Sequence, residues 1–258
     1  MDNFNVYKDI QARTKGEIYI GVVGPVRTGK STFIKRFMEL AVLPAMEDES
    51  LKAVSTDELP QSAGGKTVMT TEPKFIPKEA VQITLGDGIQ AKVRLIDCVG
   101  YMVDGAAGHV ENGEERMVKT PWSEKEIPFT QAAQIGTRKV IGDHSTIGIV
   151  VTTDGSVGEL KRSAYIDAEK QTVDELKKLG KPFILLLNST KPYSDETLKL
   201  AEQLAADYGV TVLPVSCEQL KKEDIFHILE SVLKEFPVTQ LDFHIPKWLE
   251  VLPATHWL

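Results

Sequence analysis

The sequence predicts an α/β fold of three layers, with a mostly parallel sheet covered by helices on both faces. Short apolar runs alternate with amphipathic stretches of about 12 to 15 residues along most of the chain. Two of those runs, 147–151 and 183–187, are apolar at nearly every position, as in strands buried on both sides. A single Asp87-Gly88 turn separates two alternating segments, which adds one antiparallel hairpin strand near the front of the sheet.

The elements follow in order. Residues 1–16 form a polar N-terminal arm. Residues 17–23 read as a buried strand that runs into a Gly-rich turn. Residues 30–43 carry Phe33, Ile34, Phe37, Met38 and Ala41 at helical spacing. Residues 44–71 are polar and lack periodicity, and structureless loops above about 15 residues are usually functional or disordered. The hairpin strands cover 81–85 and 91–97. Residues 101–143 read as an irregular insertion with one short helix at 131–141. Strands follow at 146–151, 183–187 and 211–215, and helices at 165–179, 195–208 and 223–236. The domain therefore spans 17–236. A C-terminal segment, 237–258, holds Trp248 and Trp257.

Composition narrows the function. The 258 residues carry 30 basic and 37 acidic side chains, a net charge of −7 that argues against nucleic-acid binding driven by counterion release. The longest apolar runs are far too short to cross a bilayer. The start, MDNFNVYKDI, has no basic-then-apolar secretion signal. Two cysteines make no disulfide framework, so a reducing cytoplasm is expected. His109, His144, His227, His244 and His256 lack metal-ligand spacing.

Gly24-Pro-Val-Arg-Thr-Gly29-Lys30-Ser31 fits G-x-x-x-x-G-K-[ST], between a hydrophobic strand and an amphipathic helix. The glycines let the backbone aim its N–H groups inward, Lys30 reaches the β- and γ-phosphates, and Ser31 ligates Mg²⁺. The helix N-terminus favours the anion. Asp97-Cys-Val-Gly100 ends a strand expected beside that loop. Asp97 can hold Mg²⁺, and the Gly100 N–H can meet a γ-phosphate. Thr70 or Thr71 completes the metal shell and senses the γ-phosphate, as in switch-type NTPases. The residues do not choose between them. Guanine recognition normally needs N-K-x-D after a buried strand. Here Asn188-Ser-Thr-Lys191 stands in that place, without the aspartate. Guanine's donors would go unpaired, so ATP is expected over GTP. Asn188 either braces the phosphate loop or caps its strand, and Ser216 either lines the base pocket or lies in a plain loop.

The runs GVVGPVRTGKSTFIKRFMEL, DELPQSAGGKTVMTTEPKF, RLIDCVGY, TPWSEKEIPF and IGTRKVI resemble the stage IV sporulation protein A family. These are the ATPases that build the base layer of the bacterial spore coat. The resemblance covers nearly the whole chain. It implies a P-loop NTPase fold of GTPase-like (TRAFAC-type) topology that has turned to ATP. It implies Lys30 as Walker A lysine, Asp97 as Walker B aspartate, and Thr70 and Thr71 as sensor threonines. Nucleotide contacts are expected from Gly24, Arg27, Thr28, Gly29, Lys30, Ser31, Thr32, Gly100, Asn188 and Ser216, and Mg²⁺ ligands from Ser31, Thr71 and Asp97. Hydrolysis is expected to drive self-assembly into a polymer on the outer forespore membrane, in the mother-cell cytoplasm, with a small membrane-anchored spore coat protein as partner. Family members continue past the position of His256-Trp257-Leu258, so the chain reads as the NTPase domain without its later domains.

Three residues bear on rate. Tyr101 follows Gly100 where many GTPases place a water-orienting glutamine, which predicts slow hydrolysis. Val26 is expected to project where a partner's arginine would approach. Arg27 either supplies positive charge near the bridging oxygens, removing a need for K⁺, or meets solvent or an acid. Trp122, between Pro121 and Pro128, is a self-association contact or a seal of the insertion onto the core. Two other functions fit the same loop: a scaffold that binds ATP with negligible turnover, and a small-molecule P-loop kinase.

Overall fold

The computed structural model describes residues 17–60, 72–84, 90–106, 110–111 and 114–236. The N-terminal arm, Thr70 and Thr71, the Asp87-Gly88 turn, His109 and the 237–258 segment lie outside the described residues.

One six-stranded sheet organises the chain. Its strands are β1 (Glu17–Val23), β2 (Lys74–Thr84), β3 (Gln90–Asp97), β8 (Ile147–Thr153), β9 (Phe183–Asn188) and β10 (Val212–Val215), in the order β10-β9-β8-β1-β3-β2. Every pairing is parallel except β2 with β3. The mixed α/β class, the parallel sheet and the antiparallel hairpin are as the sequence predicts. The pleat explains the two covered faces. Ile18, Ile20 and Val22 of β1 point to one side, against Phe33, Ile34 and Phe37 of α1 (Lys30–Phe37) and Ile225, Leu229 and Val232 of α6 (Lys222–Lys234). Val23, Ile96, Val150 and Leu185 point to the other, against Val173 and Leu176 of α4 (Ile166–Lys178) and Ala201 and Leu204 of α5 (Asp195–Tyr208). Strands β8 and β9 are buried at every residue.

The structure departs from the expected elements in three places. Helix α2 (Glu49–Asp57) occupies part of the segment read as structureless. Its Asp48 cap accepts from the N–H groups of Ser50 and Leu51, at 2.8 and 3.1 Å. Periodicity could not reveal it, because Leu51 and Val54 stay 55% and 50% exposed and only Ser55 is buried. Strand β2 begins at Lys74 rather than 81, with its register shifting between Ile76 and Val81. Pro77 interrupts the alternation there, and an edge strand tolerates its missing N–H. The segment after Tyr101 is less irregular than expected. It holds two short hairpins, β4 (Val110–Glu111) with β5 (Glu114–Glu115) and β6 (Met117–Thr120) with β7 (Ser123–Pro128). Helix α3 (Phe129–Lys139) follows and continues as a π-helical turn to His144. Trp122 is half-buried with the Lys139 ammonium 5.8 Å over its ring, so it packs the β6–β7 turn onto α3.

A buried ionic network ties the loop after β8 to the helices below it. Glu169, fully buried on α4, accepts from Arg162 Nη1 and Nη2 at 2.6 and 2.7 Å, from the Tyr208 hydroxyl at 2.8 Å and from the Thr152 hydroxyl. Removing one partner of such a pair strands a charge in low dielectric. Arg162→Ala should therefore destabilise the fold by about 3 kcal/mol, read as a lower urea midpoint. Lys234→Ala, which breaks a surface pair with Glu230, should change stability by less than about 0.5 kcal/mol and leave that midpoint nearly unmoved.

Candidate functional site

The carboxyl ends of β1, β3, β8, β9 and β10 face one rim of the sheet, where open parallel sheets place their ligands. The Gly24–Ser31 loop leaves β1 there and enters α1. Lys30 sits in the first turn of α1 yet is only 5% exposed, because its side chain folds back over the loop. Its ammonium donates to the carbonyls of Pro25 at 2.6 Å and Gly24 at 3.3 Å. Burial holds the Lys30 pKa below the usual lysine value, opposed by Cys98 and Asp97. Thr28 is buried and donates from Oγ1 to the Pro25 carbonyl at 3.0 Å. Gly29 closes the turn at φ +98°, and a Cβ there would collide with the Asn188 amide. Arg27 holds a left-handed backbone, φ +61°, and is half-buried.

Asp97 ends β3 level with Val22 on β1. Its Oδ2 accepts from the Ser31 hydroxyl at 3.3 Å, while its Oδ1 is buried with no partner among the described groups. Burial pushes the carboxyl up to about 6, against the pull of Lys30 and the Ser31 hydroxyl. Gly100 lies three residues on at φ +92°. A Cβ there would strike the Gly24 carbonyl and stand 2.7 Å from Lys30 Nζ, so only glycine lets this turn touch the loop. The next residue seals the contact: the Val26 N–H donates to the Tyr101 carbonyl at 2.9 Å. A buried ammonium, a hydroxyl and a half-satisfied carboxylate at a helix N-terminus suit an anion accompanied by a divalent cation.

Asn188, 3% exposed at the end of β9, joins two loops. Its Nδ2 donates to the Thr28 carbonyl at 2.9 Å and its Oδ1 accepts from the Cys217 N–H at 3.0 Å. Beyond it opens a cavity of about 560 Å³, lined among others by Thr32, Thr190, Ser216, Cys217 and Glu218. The Cys217 thiol is pushed up to about 12 by burial and stays a thiol. The sequence reading did not find Glu218, Thr190 or Val157 on this wall. Nor did it find the stitch behind them, where Ser156 Oγ accepts from the Thr190 N–H at 2.9 Å and donates to Asp154 at 2.6 Å. An Asp-Gly-Ser turn straight after a buried strand was the available signal.

Two expectations change. Val26 does not project from the loop: it is buried with Tyr101, Val103, Tyr165 and Ala168. Tyr101 likewise sends its side chain into this cluster, against Val26, is 1% exposed, and donates its hydroxyl to the Glu175 carboxylate. The phenol lies in this cluster rather than beside the Lys30 ammonium. Asn188→Ala would leave the buried Cys217 N–H and Thr28 carbonyl unpaired. We expect a loss of about 2 kcal/mol in denaturant unfolding, with the helical content of the native state retained in circular dichroism.

Comparison with known proteins bears on what this site serves. Residues 1–237 match the family model described as stage IV sporulation protein A, ATPase domain. The stage IV sporulation proteins A of Bacillus subtilis (strain 168) and Bacillus anthracis are each 52% identical over 258 residues, all of this chain. That of Clostridioides difficile (strain 630) is 52% identical over 256 residues, 99% of this chain. The chain spans about half the length of these relatives, 52% of each. Among the described residues no helix is long and apolar enough to cross a membrane. By the reach of the family model and the identity to these relatives, the chain belongs to the stage IV sporulation protein A family and carries its ATPase domain.

Proposed function

We propose that this chain binds ATP with Mg²⁺ at the Gly24–Ser31 loop and hydrolyses it slowly, and that turnover drives self-assembly of the layer on which the spore coat is built. The observation that carries the reading is the convergence of the buried Lys30 ammonium and the half-satisfied Asp97 carboxylate at the N-terminus of α1. In this reading residues 17–236 are a P-loop ATPase domain of GTPase-like (TRAFAC-type) topology, 101–143 are its insertion, and 237–258 lead to later domains. The mother-cell side of the outer forespore membrane, with a small membrane-anchored spore coat protein, is the setting of assembly. Nucleic acid is not a partner.

The chemistry assigns each group a task. Lys30 exchanges its two carbonyl contacts for β- and γ-phosphate oxygens, which carry far more charge. Ser31, Asp97 and Thr71 would hold Mg²⁺, and the open Asp97 Oδ1 fits a bound cation or its water. When bound, that ion neutralises charge between the β- and γ-phosphates. Gly24, Thr28 and Gly29 shape the loop around the phosphates, and Arg27 adds positive charge at its crest. The Gly100 N–H meets the γ-phosphate, and Thr70 and Thr71 sense it. Asn188 keeps the loop in register, while Thr32 and Ser216 border the base cavity. The Asn188-Ser-Thr-Lys191 run lacks the aspartate of N-K-x-D that would accept from guanine, which favours ATP. The sequestered Tyr101 places no amide beside the attacking water, which keeps turnover slow and leaves an ATP-stabilised scaffold as the second reading.

Calorimetry with Mg·ATP and Mg·GTP tests the assignment. ATP should bind at least about tenfold tighter than GTP, and Lys30→Ala should lose both. Thr70→Ala with Thr71→Ala should keep binding but slow phosphate release, because those hydroxyls act after the nucleotide docks. Equal binding by Lys30→Ala would reject the site. Phosphate release indistinguishable from the Lys30→Ala background, with ATP bound, would leave the scaffold.

A further inference from the structure

We infer that Glu175 is a positioning residue, which through the Tyr101 hydroxyl holds the Asp97–Gly100 turn against the Gly24–Ser31 loop. The inference rests on the nucleotide reading above and adds a residue of α4 that no motif contains.

Tyr101 is grasped at both ends. Its main chain is bound to the loop, since its carbonyl accepts from the Val26 N–H at 2.9 Å and it bridges Pro25 in parallel β fashion. Its ring is enclosed by Val26, Val103, Tyr165 and Ala168. Its hydroxyl reaches across to α4 and donates to Glu175 Oε2. The other oxygen of that carboxylate accepts from Arg138 Nε on α3 at 2.9 Å. Glu175 is mostly buried and Arg138 mostly exposed, so the carboxylate is the fixed anchor and the guanidinium its outer clamp.

A phenylalanine would fill the same apolar enclosure. The hydroxyl therefore contributes direction rather than volume, and a donor on a carboxylate makes one of the stronger hydrogen bonds available to a neutral side chain. Burial and the neighbouring Glu175 push the phenol pKa far up, so the hydroxyl keeps its proton and stays the donor. The restraint acts one residue from Gly100, where no Cβ could be accommodated beside Gly24 and Lys30. Loosening Tyr101 would loosen the Gly100 N–H, the contact assigned to the γ-phosphate. Tyr101→Phe leaves the main-chain bond from Val26 to the Tyr101 carbonyl in place, and Lys30 makes its own bonds to the Gly24 and Pro25 carbonyls, so the loop's hold on the rest of the phosphate chain does not need the phenol hydroxyl.

The experiment measures Kd for Mg·ATP and Mg·ADP, and steady-state kcat, for the 258-residue chain and for Tyr101→Phe, Glu175→Ala and Glu175→Gln. We expect Tyr101→Phe and Glu175→Ala each to shrink the ATP-over-ADP preference and kcat about tenfold while ADP affinity holds. Glu175→Gln, which keeps an oxygen that accepts from the phenol, should fall between them and the parent. ATP and ADP affinities weakening in parallel would mean a general structural role and would overturn the inference. So would Tyr101→Phe behaving as the parent while Glu175→Ala fails, because the carboxylate would then act without the phenol. A parent chain that binds neither nucleotide would instead reject the nucleotide reading, and this inference with it.

Discussion

A lysine ammonium buried inside its own loop is the constraint around which this structure is arranged. Lys30 has left bulk water, and two backbone carbonyls are a modest exchange for its hydration. The arrangement persists because the fold overdetermines it: the loop is fastened to Tyr101 through Val26, to β9 through Asn188 and to β3 through Ser31. Two of those fastenings lead to the carboxyl end of β3 and the turn that follows it, and the third to the end of β9. A cradle held at three points is preorganised for charge, which is what makes electrostatic stabilisation effective in a water-poor site.

The remainder of the fold supplies those fixed points. Strands β8 and β9 are buried throughout and set the height of Asp154 and Asn188 at the rim. The Glu169 network then locks the loop leaving β8 onto α4 and α5. Helix α4 thus serves two neighbours, the Thr152 strand end through Glu169 and the Tyr101 turn through Glu175. The long segment after Tyr101 reaches the same point through Arg138.

Much of this was legible in the residues because the relevant physics is local. Alternation and apolar runs located all six sheet strands, and the Gly24-to-Ser31 spacing located the loop and its lysine. The short-range signals failed where burial did not leave a periodic trace. Helix α2 exposes Leu51 and Val54, so its only sequence mark was the Asp48 cap. The start of β2 was hidden by Pro77. Side-chain direction was the larger gap. Val26 read as projecting toward a partner's arginine and Tyr101 as standing where a glutamine would orient water, yet both turn into the cluster beneath α4, because apolar and aromatic side chains gain more by burial than by facing a polar cradle. Glu175, Glu218 and Ser156 belong to no motif and come near the site only through tertiary folding. Thr70 and Thr71 lie outside the described residues, so their place rests on sequence alone.

In the proposed function the loop grips the phosphate tail rather than the nucleoside. Thermal unfolding with AMP, ADP and ATP at equal saturating concentrations, each with magnesium, asks this directly. A loop that holds phosphates should give a rising ladder, with AMP near the ligand-free midpoint, ADP clearly above it and ATP highest, and with the ADP and ATP steps lost in Lys30→Ala. Equal shifts from AMP and ATP, unchanged by that substitution, would contradict it.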